Sequence, residues 1–248
     1  MIKSISVRRS QASQYIPDLR GADPVGFRGK PVISTTACGT GCSACVAACP
    51  SNAIALDPVR IDLGRCVMCG DCEPACPSAK LSFSNDFRLA STNRDALTVS
   101  ATHPDIDPVK VSAALRKRFG RSLKLRSVSA GGCNGCEMEI NAWGNVNFDI
   151  GRYGIDMVAS PRHADGLVLS GPISRNMVSA LQTCWDAIPE PKLVIAVGAC
   201  AISGGVFADC SETDRRFLET FRPALYVPGC PAHPLTFIAG IMDLLGIS

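Results

Sequence analysis

The sequence predicts two folded regions of different class: a small α+β region built around cysteines, then an α/β region on a parallel sheet. Three observations carry this. Eight of the 14 cysteines (Cys38, Cys42, Cys45, Cys49, Cys66, Cys69, Cys72 and Cys76) crowd between residues 38 and 76. The rest, Cys133, Cys136, Cys184, Cys200, Cys210 and Cys230, are scattered. From residue 121 the chain changes to short apolar runs ended by Gly or Pro, alternating with helix-period stretches.

Composition sets the bounds. Of 248 residues 46% are apolar, ample for a core and too many for a disordered chain. The net charge of +3 is weak for a nucleic-acid binder, and no nucleic-acid partner is expected. No apolar run reaches about 18 residues, so no membrane-spanning helix is expected. The start, Met1-Ile-Lys-Ser-Ile-Ser-Val-Arg-Arg9, has a twin arginine with no apolar segment behind it, and Gln14-Tyr-Ile-Pro-Asp-Leu-Arg20 is polar. No export signal is expected there. Thiols of an unexported chain stay reduced, which favours metal ligation over disulfides.

Residues 1–30 read as an N-terminal extension and 31–98 as the cysteine-rich domain. Its second half, Cys66-Val-Met-Cys69-Gly-Asp-Cys72-Glu-Pro-Ala-Cys76-Pro77, has the C-x2-C-x2-C-x3-C-P spacing of cubane iron–sulfur sites. The first half, Cys38-Gly-Thr-Gly-Cys42-Ser-Ala-Cys45-Val-Ala-Ala-Cys49-Pro50, ends alike but has three residues between its first two cysteines. Three closely spaced thiolates wrap three corners of one cube, and the fourth is carried off to the other. One cluster is therefore expected on Cys38, Cys42, Cys45 and Cys76, and a second on Cys66, Cys69, Cys72 and Cys49. Should Cys38 drop out, a three-iron cluster fits the first site. Zinc is the competing reading, but two runs each ending in Cys-Pro make a poor zinc pattern. With the apolar stretches Ala53-Ile-Ala-Leu56 and Leu81-Ser-Phe83 after the motifs, residues 36–82 resemble bacterial two-cluster ferredoxins. The resemblance implies an α+β ferredoxin-like fold and an electron relay.

Residues 84–108 are polar and hold two prolines, a linker composition. With the first domain taken to end at 98, residues 99–120 read as a linker and a basic amphipathic helix. Val111, Leu115 and Phe119 recur at four-residue steps within 109–119. Lys110, Arg116, Lys117, Arg118, Arg121, Lys124 and Arg126 surround them with no acid from 110 to 136. Such a run suits anionic lipid or an acidic partner, and equally a solvated helix face.

The second domain spans 121–248. Residues 123–129, 154–159, 166–170, 192–197 and 224–227 read as strands, and 137–146, 174–188, 211–221 and 233–245 as helices. The alternation argues for a parallel sheet covered on both faces. Three strands run into cysteine loops: Ala130-Gly-Gly-Cys133-Asn-Gly-Cys136-Glu137, Gly198-Ala-Cys200 and Pro228-Gly-Cys230-Pro231. Ligands of open α/β folds bind outside the carboxyl ends of the strands, so Cys133, Cys136, Cys200 and Cys230 could hold one more cube there. Gly204-Gly205 is no phosphate loop, since no Lys-Ser/Thr follows.

Gly131-Gly-Cys-Asn-Gly-Cys-Glu137, Ser160-Pro-Arg-His-Ala-Asp165, Gly198-Ala-Cys-Ala-Ile-Ser-Gly-Gly205 and Pro228-Gly-Cys-Pro231 resemble the small subunit of group 4 membrane-bound nickel–iron hydrogenases, formate hydrogenlyase type. The resemblance covers about residues 108–247. It implies a flavodoxin-like fold with the proximal 4Fe–4S cluster on Cys133, Cys136, Cys200 and Cys230. The first domain, with Phe27-Arg-Gly-Lys-Pro31 ahead of its motif, resembles the two-cluster subunit of the same complexes, so the chain looks like a fusion of two subunits. Three 4Fe–4S clusters are then implied, relaying electrons to or from a nickel–iron centre on a separate large subunit. The implied partners are that subunit, membrane subunits, and a donor such as formate dehydrogenase or a ferredoxin. The implied place is cytoplasmic, at the inner face of the cell membrane. The 20 kDa subunit of respiratory complex I shares the fold; there an adjacent Cys-Cys pair stands where Cys133 and Cys136 are separated. A quinone-reducing module or a nickel-free relative remains the alternative.

The family often has Cys-Pro-Pro where this chain has Cys230-Pro231-Ala232-His233, so His233 reaches a cluster or an interface, or else starts a helix. Glu137 suits proton transfer at the large-subunit contact or a helix N-terminus. Arg162, His163 and Asp165 suit that contact or a polar loop network. Cys184 and Cys210 are left over from three sets of four and are not expected to be ligands. Catalytic residues are not expected on this chain, which bears no nucleophile–base pattern and no dinucleotide fingerprint.

Overall fold

A computed structural model describes residues 2–11, 16–120 and 122–247. Helix α1 (Ile2–Gln11) comes first. The cysteine-rich region follows with short strands β1 (Pro31–Ile33), β2 (Ile54–Ala55), β3 (Arg60–Asp62), β4 (Leu81–Phe83) and β5 (Thr98–Ser100), and helix α2 (Ala44–Ala47). β1 pairs antiparallel with β4, while β2, β3 and β5 form a second antiparallel sheet in that order. The duplication is visible in the backbone. Four residues past each Cys-Pro cysteine an amide turns back onto its sulfur, Ala53 N–H to Cys49 Sγ and Lys80 N–H to Cys76 Sγ, both at 3.3 Å. A strand begins at the next residue in each half, β2 and β4.

The linker reading of residues 84–108 is overturned. Polar residues and prolines dominate there, yet Phe87, Leu89, Leu97 and Val99 are buried. Val99 pairs with Ile61 in the β3–β5 ladder, so an end of the first domain at residue 98 would divide a strand. Ser91 bridges to Tyr226 at the far edge of the second sheet. A few apolar side chains at the right spacing outweigh a polar average, because burial of each contributes roughly 1.5–3 kcal/mol.

The second region contains α3 (Ala113–Phe119), β6 (Leu123–Ser129), α4 (Gly135–Ala142), β7 (Ile155–Met157), β8 (Gly166–Ser170), α5 (Val178–Ala187), β9 (Leu193–Val197), α6 (Ala199–Ser203), α7 (Arg216–Thr220), β10 (Leu225–Val227) and α8 (Pro234–Leu245). Its five strands form one parallel sheet in the order β7-β6-β8-β9-β10. Counted within the region this is 2-1-3-4-5, the flavodoxin-like order. Every residue of β8 and β9 is buried, as parallel strands covered on both faces require.

Four helices are shorter than the sequence suggests, among them α5, which starts at Val178 behind a short 3-10 turn, Arg175–Met177. Pro108 and the Ser112 cap, whose Oγ accepts from Leu115 N–H, hold the start of α3 back to Ala113. α4 starts early, at Gly135 behind a left-handed Asn134, and ends at Ala142. Thr213 bridges to Ser174, which takes residues ahead of Arg216 out of α7. α8 is buried almost throughout, and its Phe237 stacks on Trp143 with ring centroids 3.5 Å apart. The core does not respect the division into two regions. Ile61, Leu63 and Leu97 of the first share one apolar cluster with Leu167, Ile202 and Phe217 of the second.

Candidate metal centres

In the first region cysteines of the two runs lie close to one another. Burial pushes the Cys45 thiol up, and the neighbouring Cys76 and Cys38 push it further. Cys38 and Cys42 line one cavity of about 510 Å³ with Gly39, Thr40, Gly41 and Lys80. Cys66 is pushed up to about 12 by burial, with Cys72, Cys49 and Cys69 adding to it. Cys72 rises to about 11 from burial and from Cys69, Cys49 and Cys45. Cys76 thus stands with the first run and Cys49 with the second, each across the duplication from its own motif.

The parallel sheet gathers four more at its carboxyl edge. β6, β9 and β10 deliver the three cysteine loops. Burial raises Cys136 to about 12, with Glu137, Cys230 and Cys200 reinforcing the shift and the Ala232 N–H opposing it. Cys200 rises to about 11 through burial and through Cys230 and Cys133. At Gly198, with φ +89°, a Cβ would lie 2.5 Å from Cys136 Sγ, so the β9 loop can pass the thiol only as glycine. Behind it Arg215 donates to the carbonyls of Cys200, Ala201 and Ile202 at 3.1, 2.7 and 2.8 Å and fixes the end of α6.

Crowded, desolvated thiols of this kind resist ionisation singly, and a cation-rich group bound among them relieves both effects. The donor set, all sulfur in three neighbourhoods with amides turned onto Cys49, Cys66 and Cys76, fits cubane iron–sulfur chemistry. Among the described residues no three His, Cys, Asp or Glu side chains converge as ligands of a single ion would.

The second neighbourhood borders both others: Cys45 of the first raises Cys72 across one gap, and Cys69 raises Cys230 of the third across a second gap. The second gap is a cavity of about 240 Å³ lined by Phe27, Arg28, Met68, Glu139, Cys230 and His233, among others. Arg28 donates to the carbonyls of Met68 and Cys69 at 2.9 and 2.6 Å and lies over the Phe83 ring. The Phe27-Arg-Gly-Lys-Pro31 run marked this segment; nothing in the sequence marked Arg215.

His233 is the N-cap of α8: its Nδ1 accepts from Leu235 N–H at 3.1 Å, and its ring packs on Phe27 and Phe148. Glu137 opens α4 and accepts from Ser170 Oγ at 2.7 Å; burial raises its carboxyl, but hydrogen bonds from Ser129 and Ser170 hold it lower than usual. Asp165 accepts from Lys124 N–H at 2.8 Å, while Arg162 and His163 are exposed. Cys184 is half-buried beside Arg126, and Cys210 lies exposed. Arg116, Lys117 and Arg118 are exposed on α3, which packs on α8; Arg121 lies outside the described residues.

Residues 133–244 match the family model for NADH ubiquinone oxidoreductase, 20 Kd subunit, and residues 37–80 match that for a 4Fe-4S dicluster domain. Formate hydrogenlyase subunit 7 of Escherichia coli is 40% identical over 137 residues, covering 55% of this chain and 54% of that one. The probable membrane-bound hydrogenase subunit mbhJ of Pyrococcus furiosus is 37% identical over 130 residues, 52% of this chain and 78% of that one. A subunit of the F(420)H(2) dehydrogenase of Methanosarcina mazei is 38% identical over 148 residues, 59% and 78% respectively. The match therefore spans about half of the first relative and more than three-quarters of the other two.

Proposed function

The chain belongs to the NADH ubiquinone oxidoreductase 20 Kd subunit family, with a 4Fe–4S dicluster domain ahead of that part, and from this premise we propose that it is the electron-transfer subunit of a membrane-associated nickel–iron hydrogenase complex. It is an iron–sulfur component of an oxidoreductase and carries 4Fe–4S clusters. The finer reading has three of them. Cys38, Cys42, Cys45 and Cys76 hold the first, Cys66, Cys69, Cys72 and Cys49 the second, and Cys133, Cys136, Cys200 and Cys230 the third. What supports this reading is the pair of Cys-Pro turns that aim amides at Cys49 and Cys76, the four cysteines at the carboxyl edge of the sheet, and the cavity between them that Met68 and Cys230 both line.

When bound, thiolate-held cubes supply one-electron transfer. The chain's own residues do the rest. The Cys-Pro turns aim amides at sulfur, Arg28 pins the Cys66–Cys72 loop against the sheet region, and Gly198 lets the β9 loop close over Cys136. The exposed Cys133 and Cys230 lie at the open side of the third set, with the exposed Met138, Val206 and Phe207 on the neighbouring segments. That apolar surface suits the large partner that holds the nickel–iron site. Membrane subunits and a donor such as formate dehydrogenase or a ferredoxin complete the assembly, at the cytoplasmic face of the membrane. No described helix is long and apolar enough to cross a membrane, in keeping with a peripheral place.

The likeness to the F(420)H(2) dehydrogenase chain favours a second reading, a nickel-free or quinone-reducing relative of the same architecture. Nickel analysis of the complex purified with its native partners separates the two. The relay itself is tested by Cys133→Ser and Cys200→Ser. Turnover of the complex should vanish while the clusters of the first region still reduce with dithionite. Turnover retained in either variant refutes the assignment.

A further inference from the structure

Lys80 lies in the second half of the duplication, yet its side chain enters the neighbourhood of Cys38, Cys42, Cys45 and Cys76. It is only 9% exposed. Its main-chain N–H meets Cys76 Sγ at 3.3 Å, and its Nζ donates to the carbonyl of Thr36, two residues ahead of Cys38. With Cys38, Gly39, Thr40, Gly41 and Cys42 it lines the cavity of the first centre, which Asp57 also lines without coming into ion-pair distance of it. Among the described residues no carboxylate forms an ion pair with it.

Lysine is almost never this buried without a partner, because an ammonium taken out of water must find an opposite charge. The fold itself does not ask for lysine here. The duplicated position is Ala53, which makes the same amide-to-sulfur bond to Cys49 at the same 3.3 Å and leads into the same kind of strand. A cation has been placed beside one centre of a duplicated pair at a position where alanine serves the fold equally well.

We infer that Lys80 is the counter-cation of the Cys38, Cys42, Cys45 and Cys76 centre and sets its reduction potential. The inference rests on the assignment of those four cysteines to one cluster. Four thiolates around a cube leave a net negative charge, and reduction adds one electron and one further negative charge. A fixed positive charge in a desolvated wall favours the reduced form.

The test is an EPR-monitored titration of the holoprotein with dithionite, comparing wild type with Lys80→Met, Lys80→Gln and Lys80→Arg. In the Met and Gln variants the ratio of reduced to oxidised centre at a fixed potential should fall about tenfold for one couple only. For a one-electron couple that is a downward shift of about 59 mV. Arg should restore the wild-type potential. Gln keeps a donor for the Thr36 carbonyl without the charge, so unmoved couples in a fully iron-loaded Gln variant overturn the inference. Loss of that centre's iron in Met and Gln but not in Arg supports it, and loss in all three overturns it. A wild-type protein with no cubane signals from the first region defeats instead the cluster assignment beneath it.

Discussion

The two halves of this chain build metal centres by opposite routes. In the first, on the proposed assignment, each set takes three cysteines from one short run and a fourth from the other run, so ligand spacing is nearly the whole architecture. Its strands are two or three residues long. In the second, four cysteines spread from 133 to 230 meet only because β6, β9 and β10 end at the same edge of a sheet. The difference separates cause from consequence. The first region is therefore expected to depend on what it binds, whereas the second should form its site by folding. A region of some 70 residues with so little regular structure rarely stands on an apolar core alone.

Removing the iron gives the sharpest way to break this contrast. After anaerobic chelation the amides of β1 to β5 should lose their protection from hydrogen exchange, while those of β6, β8 and β9 keep theirs. Equal protection in both halves after iron loss would show that the shared core, Leu63 and Leu97 against Ile202 and Phe217, holds the first region by itself.

Next in size is Gly198→Ala. The added Cβ would lie 2.5 Å from Cys136 Sγ, with backbone at a φ of +89° that alanine resists, so the third centre cannot close. The purified complex should lose one centre's iron and its turnover, with the signals of the first region intact. A variant with full iron would mean that the β9 loop has freedom the geometry does not suggest.

What could be read from the sequence follows the same division. Cysteine spacing exposed eight candidate ligands because the information is local. The remaining four were legible only as loops at the ends of apolar runs, since what joins Cys133 to Cys230 is strand order. Neither route exposed β5: Val99 is one apolar residue between Thr98 and Ser100, and only Ile61 across the ladder makes it a strand. Arg215 was equally invisible, because the carbonyls it satisfies belong to a helix fifteen residues upstream of it. Lys80 could have been suspected by aligning the duplicated halves, which set it opposite Ala53.

Asp62→Asn tests whether the halves melt as one body. Asp62 takes a two-pronged hydrogen bond from Arg94, at 2.8 and 2.6 Å, and a third from Gly64 N–H. A Cβ on Gly64 would meet both Arg94 and Ile202 at under 3 Å, so this pair sits on the seam between the regions. Loss of hydrogen bonds to a charged group should lower stability by about 1.5–3 kcal/mol. Thermal melting of the holoprotein should then show both regions shifting together. A shift confined to the first region would restore the picture of two independent domains.

The smallest effect lies at His233, where the halves also touch, through Phe27 on one side and Phe148 on the other. Burial holds its imidazole below the ordinary histidine value. A base whose folded pKa is depressed binds fewer protons folded than unfolded, so its stabilising contribution is complete above about pH 6.5 and is lost as the pH falls from there toward the folded pKa. Protonation would also fill Nδ1, the acceptor that caps α8 through Leu235 N–H, and would set a positive charge at the positive end of a helix. A lost cap costs about 1 kcal/mol. Protection from exchange at Leu235, Thr236 and Phe237, relative to the unstructured rate at each pH, should therefore fall between pH 7 and pH 5.5 while that of β8 and β9 is unaffected. His233→Asn keeps a capping acceptor that does not titrate, so its protection should be flat over that range; His233→Ala should be weakly protected throughout. If the Asn variant keeps the wild-type pH slope, the titrating group lies elsewhere, and the seam at Phe27 is held by packing rather than by the charge state of the cap.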